Sequence, residues 1–222
     1  MLETIDHEVR GALTRQIAAL GHAPANQILA SAMGLSLNDL EASLRRLHEA
    51  HAVLLHPHGC RPWVVHPFAL SAGSCWVQTA DFGYWANCLY CAFGIAAALR
   101  KNAVITTRLG GEAETVRYTI ENGAPHKTSD VFHLSTPAAH WWDNVIFACA
   151  SFQPFRNEAD IDSWCERHAS HKGAVMTMAD LWRFASDWYG NYLDLGWRKR
   201  TPEEIRAVFT KHHLVGQFWS FE

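Results

Sequence analysis

Residues 84–101 read YWANCLYCAFGIAAALRK, and the fold is decided by how this run is assigned. From Cys88 onward it is rich in alanine, which predicts a helix over Cys88–Lys101. On both sides the texture is that of strands. Upstream, Trp63–His66 and Ser74–Thr79 are rich in β-branched and aromatic residues. Downstream, Ala103–Leu109 and Thr115–Glu121 alternate apolar and polar side chains; Gly110-Gly111 splits them, and Asn122-Gly123, a strong turn signal, follows. Val131–Leu134 and Asn144–Phe152 are further strand candidates. Helices are expected again over Met178–Tyr192 and over Pro202–His212, where Thr201 is the cap and Pro202 takes the first position.

The first 56 residues differ from the rest and read as helices. Val9, Leu13, Ile17 and Leu20 recur at three- and four-residue steps, giving an amphipathic helix over His7–Leu20 that Gly21 ends. A second helix follows Pro24, with Ile28, Leu29 and Met33 on its apolar face. Ser36 caps a third over Leu37–Ala50, with Leu40, Leu44 and Leu47 inside. Ala52–Leu55 and Pro62–Pro67 complete a hairpin, so the outline is that of a winged helix-turn-helix. The class expected is therefore α+β: a helical winged-helix-like subdomain over residues 1–67, then a mixed, mainly antiparallel sheet domain with flanking helices over 68–222.

Composition narrows the function. The hydrophobic fraction is 49% and the charged fraction 18%, enough for a folded core. A net charge of −3 gives no general attraction to nucleic acid or anionic lipid. The helix that would read DNA carries Asp39, Glu41 and Glu49 against Arg45 and Arg46, whereas phosphate contacts need a cationic face. Nucleic acid is thus not an expected partner, and the helices are expected to be structural. No apolar run approaches the roughly 18 residues of a membrane span, and the N-terminal residues have no signal-peptide pattern. The expected location is the cytoplasm, where the six cysteines stay reduced. Neither GxSxG nor GxxxxGK[ST] occurs, which removes serine-hydrolase and P-loop chemistry of those types.

Cys88 and Cys91 are three apart, a spacing that puts both on one face of a helix about 5–6 Å apart at Cβ. A helix start stabilises anions and lowers a thiol's pKa from about 8.5. CxxC alone also serves redox exchange, and zinc sites usually add a second such pair, which this chain lacks. Cys149, in an apolar strand-like run, reads by itself as a core cysteine.

The run Trp85-Ala86-Asn87-Cys88-Leu89-Tyr90-Cys91-Ala92-Phe93-Gly94 resembles the first motif of the organomercurial (alkylmercury) lyases, an aromatic-flanked cysteine followed three residues later by a carboxylate. Phe147-Ala148-Cys149, with Trp164 fifteen residues on and then His168 and Gly173, resembles the second. The likeness runs diffusely over most of residues 1–195. It implies that Cys88 and Cys149 are the two thiols that capture mercury, and that a proton delivered to carbon releases a hydrocarbon and leaves Hg²⁺ on sulfur. Cys91 stands where the family has its proton-relaying aspartate, so it is either a direct proton donor or a third sulfur ligand. Cys88, Cys91 and Cys149 are therefore the candidate catalytic and metal-holding residues. The resemblance implies an organomercurial substrate, no required cofactor, Hg²⁺ as substrate and product, and a thiol or mercuric-ion acceptor as partner. Three sulfurs also suit Cu⁺ or Zn²⁺, which leaves a diverged relative or a thiol-based soft-metal binding or metal-responsive protein as the alternative.

Tyr84, Trp85, Tyr90, Trp141 and Trp142 would either wall a pocket beside the thiols or pack as ordinary core. Asp81 and Asp143, next to the motifs, read as turn or cap residues; His168 and His171 read as solvated; Cys60, Cys75 and Cys165 have no spacing partner. His66 is expected to help position the β region.

Overall fold

The structure, a computed structural model, describes residues 2–220. Three helices open the chain: α1 (Thr4–Leu20), α2 (Asn26–Met33) and α3 (Leu37–Glu49). Gly21 and Gly34 take left-handed φ values of 76° and 69° at the ends of the first two, a conformation that glycine adopts without steric cost. Ser36 caps α3 by accepting from the Asp39 amide. On α2 the buried residues are Leu29 and Ala30, whereas Ile28, expected on the apolar face, is 62% exposed. With so short a helix, a one-residue error in the stripe turns a side chain outward.

Strands β1 (Leu54–Leu55), β2 (Pro62–Val65), β3 (Phe68–Ala69), β4 (Cys75–Gln78) and β5 (Gly83–Ala86) precede the central helix α4 (Leu89–Leu99). After it come β6 (Ala103–Arg108), β7 (Thr115–Glu121) and β8 (Ala124–Pro125). These eight strands form one sheet in the order β1-β2-β3-β5-β4-β6-β7-β8, every neighbouring pair antiparallel. Along β6 and β7 alternate residues are buried, so one face looks inward. Asn122 and Gly123 turn the β7–β8 hairpin with φ 52° and 78°, as their order predicts. Sheet and core both run across position 67, joining the opening helices to the rest.

The remainder is β9 (Val131–Leu134), α5 (Val145–Ala150), β10 (Gln153–Phe155), α6 (Glu158–Arg167), β11 (Ala174–Thr177), α7 (Met178–Tyr189) and α8 (Pro202–Lys211). The strands among them make a second antiparallel sheet, β10-β9-β11. The fold is α+β with antiparallel sheets and flanking helices, as the pattern predicts. One assignment is corrected: Asn144–Phe152 is not a strand. Asn144 accepts a hydrogen bond from the Phe147 amide and starts the short helix α5, while strand pairing begins only at Gln153. Helix α6, capped by Asn157, was not expected at all. No helix among the described residues is long and apolar enough to cross a membrane.

Helix α4 is buried on nearly every side, from Leu89 to Ala98, as befits an alanine-rich helix with no polar stripe. It lies between the large sheet and α7. A Cβ on Gly94 would stand 2.2 Å from the Tyr189 ring, so only glycine permits this approach.

Candidate functional site

The end of β5 leads directly into Cys88, which is the N-cap of α4 with extended backbone (φ −155°, ψ 171°). Cys91 follows in the first helical turn. Cys149 arrives from the other side on α5, whose inner face is Ala148 and Cys149 while Phe147 is 64% exposed. All three sulfurs lie within 4.8 Å of one another, and all three thiols are free. Residues about sixty positions apart thus converge, and the short helix makes this possible by turning Cys149 inward and Phe147 outward.

Hydrogen bonds rank the three sulfurs. Cys149 and then Cys88 donate to Cys91, and with Tyr189 they hold the Cys91 thiol well below its ordinary pKa against the opposing effect of burial. Tyr189 Oη is 3.8 Å from Cys91 Sγ and His66 Nδ1 is 3.6 Å from it. Burial raises the Cys88 thiol, and Cys149 is raised by its hydrogen bonds to Cys88 and Cys91. Cys91 is therefore the thiol favoured for the cluster's first ionisation, with Cys88 and Cys149 both raised. Burial pushes His66 down to about 4, so its imidazole is neutral at pH 7.

Above the sulfurs is a cavity of about 130 Å³. Cys91 and Cys149 line it, while Cys88 lies outside that lining and is 0% exposed. Tyr90, Trp141 and Trp142 form part of the wall, and Trp188, Tyr189, Tyr192 and Trp197 supply the rest of its large rings besides Phe152. Tyr84 and Trp85 face a separate groove instead. The rings hold one another edge-on: Tyr189 meets Tyr192 at 4.9 Å and Tyr192 meets Trp197 at 5.5 Å between centroids. Near Trp197, the Arg10 guanidinium stacks at 3.6 Å and donates to the carbonyls of Ala52 and His66.

A family model for alkylmercury lyases (MerB) matches residues 68–190. The chain belongs to the alkylmercury lyase family. Among solved structures, the mercury-bound form of MerB2 superposes with a TM-score of 0.68 at 15% identity, covering 87% of this chain and 93% of that one. At that identity the likeness is one of fold. No curated protein matches the chain.

In this alkylmercury lyase relative, neither acid near the motifs lines the cavity. Asp81 pairs with Lys101 and Asp143 with His140, all four exposed. His168 and His171 are exposed. Cys75 is buried with its thiol pushed up to about 12, and Cys60 and Cys165 are not among the lining residues. Sequence reasoning missed Arg10, Tyr189, Tyr192 and Trp197. Arg10 carried a legible signal, because it stands three and seven residues before Leu13 and Ile17 on the buried stripe of α1. The others are drawn in by tertiary packing alone.

Proposed function

We propose that the chain cleaves the carbon–mercury bond of organomercurials by protonolysis, with Cys91 and Cys149 taking the metal and Cys88 supporting them from behind. The observation that carries this reading is a cluster of three sulfurs within 4.8 Å, two of them on the wall of an aromatic cavity, in a chain of this family. The Cys91 thiolate attacks mercury and displaces the ligand with which the substrate arrives. Cys149 then bonds to mercury through sulfur while its proton passes to carbon. The products are a hydrocarbon, R–H, and Hg²⁺ held by two thiolates. Charge and protons balance, because one thiol proton is consumed and one carbon–mercury bond is broken.

Three features support these roles. Cys91 is the sulfur already inclined to ionise, which makes it the nucleophile. Cys149 is held protonated beside it, so it keeps a proton to give. The wall beside the sulfurs is largely aromatic, which favours proton transfer to carbon from the adjacent thiol. In this scheme the family's aspartate is replaced not by a donor at Cys91 but by division of labour among three sulfurs. A soft-metal binding protein without turnover is the second reading, because a third sulfur in place of a carboxylate favours retention of Hg²⁺, Cu⁺ or Zn²⁺. Division of the chain at residue 67 and a winged-helix role for the first part stay with this proposal.

Incubation with phenylmercury and excess thiol, followed by chromatography of the headspace for benzene, tests the assignment. Wild type is expected to release benzene. Cys149→Ser is expected to lose roughly 10²–10⁴-fold in rate, the usual range for a lost general acid. Cys91→Asp and Cys91→Ser both remove the attacking thiolate, so both are expected to lose turnover; an active Cys91→Asp would overturn this assignment and make Cys91 the proton donor. Stoichiometric uptake of mercury without benzene would establish the binding reading instead.

A further inference from the structure

Arg10 is 1% exposed, yet among the described residues no carboxylate pairs with it. Its Nε and Nη2 donate to backbone carbonyls, at 3.1 Å to Ala52 and 3.0 Å to His66. Its Nη1 is buried and has no hydrogen-bond partner. A buried guanidinium with an unused donor arm is costly unless something answers it. Arg10 lines the cavity over the sulfurs, and so does Tyr90, whose buried hydroxyl is likewise unpartnered. Lys199 and Arg200 add two more cations to the same wall, and no aspartate or glutamate lines it. A largely aromatic chamber with two orphaned donors, a further unpartnered ring nitrogen at His66 Nε2 and no acid is built to receive an apolar body bearing an anionic acceptor.

We propose that this cavity contains an anion subsite centred on Arg10 Nη1, which takes a carboxylate carried on the organic group of the substrate. The inference rests on the lyase reading for the identity of the substrate, but not for the subsite itself. An apolar cavity of roughly 150 Å³ holds benzene; the one here, at about 130 Å³, is slightly smaller, which limits the organic group to a single small ring. The planar fork of arginine matches a carboxylate where a lysine would offer a single point of charge. Arg10 and Tyr90 share this wall with Cys91 and Cys149, and they are the donors assigned to a carboxylate on an aryl group whose metal sits on those sulfurs.

Two measurements test it. The first compares kcat/KM for phenylmercury and 4-carboxyphenylmercury in wild type, Arg10→Met and Arg10→Lys. Wild type is expected to favour the carboxylated substrate by at least about tenfold, the scale of one charge-assisted hydrogen bond. In Arg10→Met that ratio falls to near unity, and Arg10→Lys lies between. A purely structural role, tying Ala52 to His66, would instead depress both substrates alike and leave the ratio intact. The second is calorimetric titration of the metal-free protein with benzoate, which contains no mercury. Wild type is expected to bind benzoate at least about tenfold more tightly than Arg10→Met, with toluene indifferent to the substitution. Benzoate binding that needs Arg10, without benzene release from any mercurial, overturns the lyase reading and leaves the subsite standing. Equal kcat/KM for the two mercurials in wild type, or benzoate binding unchanged by Arg10→Met, overturns the subsite.

Discussion

At Cys91 three donors converge on one sulfur: two thiols from the cluster and the Tyr189 hydroxyl. A thiolate absorbs near the far ultraviolet edge, so its titration can be followed directly. Ionisation of the cluster is expected to begin below the ordinary thiol value of about 8.5, and Cys149→Ala, which removes a donor to that anion, is expected to move it upward. Because the folded value lies below the unfolded one, the thiolate contributes stability at pH above the unfolded pKa. That contribution disappears as pH falls through the folded value. Cys91→Ser should flatten this dependence in a series of melting curves. At this scale the CxxC spacing was legible, since cysteine identity and helical pitch are local properties. The ranking of the three sulfurs was not, because it depends on which neighbours donate to which, and those neighbours come from α5 and α7.

Elements bring the groups together through a few close approaches. Gly94 lets α4 and α7 touch, and this contact sets Tyr189 beside Cys91. Gly94→Ala would drive a methyl group into the Tyr189 ring; overpacking of that kind costs about 1–3 kcal/mol, to be read as a lowered denaturant midpoint with unchanged slope. In the small sheet, buried His133 accepts from the Gly173 amide at 2.9 Å through Nε2, and burial pushes it down to about 4. Its folded pKa lies below the unfolded value of about 6.5, so its share of stability is complete above pH 6.5 and drains away toward pH 4. His133→Gln, which keeps an acceptor but does not titrate, should flatten the fall in melting temperature over that window. Long periodic elements such as α1, β7 and α8 were legible in the sequence, because several residues repeat one signal. Asn144–Phe152 was misread because its apolar run is too short for period alone to separate strand from helix; the Asn144 cap, once noticed, decides it.

Across the whole molecule, metal and fold should be linked. A ligand that binds only the native state adds about 4 kcal/mol at a thousandfold excess over its Kd, so one equivalent of Hg²⁺ is expected to raise the melting temperature. Cys91→Ser and Cys149→Ser should abolish most of that rise, as differential scanning calorimetry would record. Unchanged melting in wild type would show that the sulfurs do not act as one metal site. The general α+β layout was readable from composition and pattern, whereas the chamber was not, because its parts lie far apart along the chain. The sulfurs come from the middle, at positions 88, 91 and 149, while the cover comes from Arg10 in the first helix and from Trp197, Lys199 and Arg200 beyond α7. During synthesis the ribosome therefore releases the three thiols before Trp197, Lys199 and Arg200, the later part of the roof, emerge. For that interval the cluster is a soft, easily oxidised target, and a disulfide formed then would be sealed beneath the aromatic rings when the last segment docks.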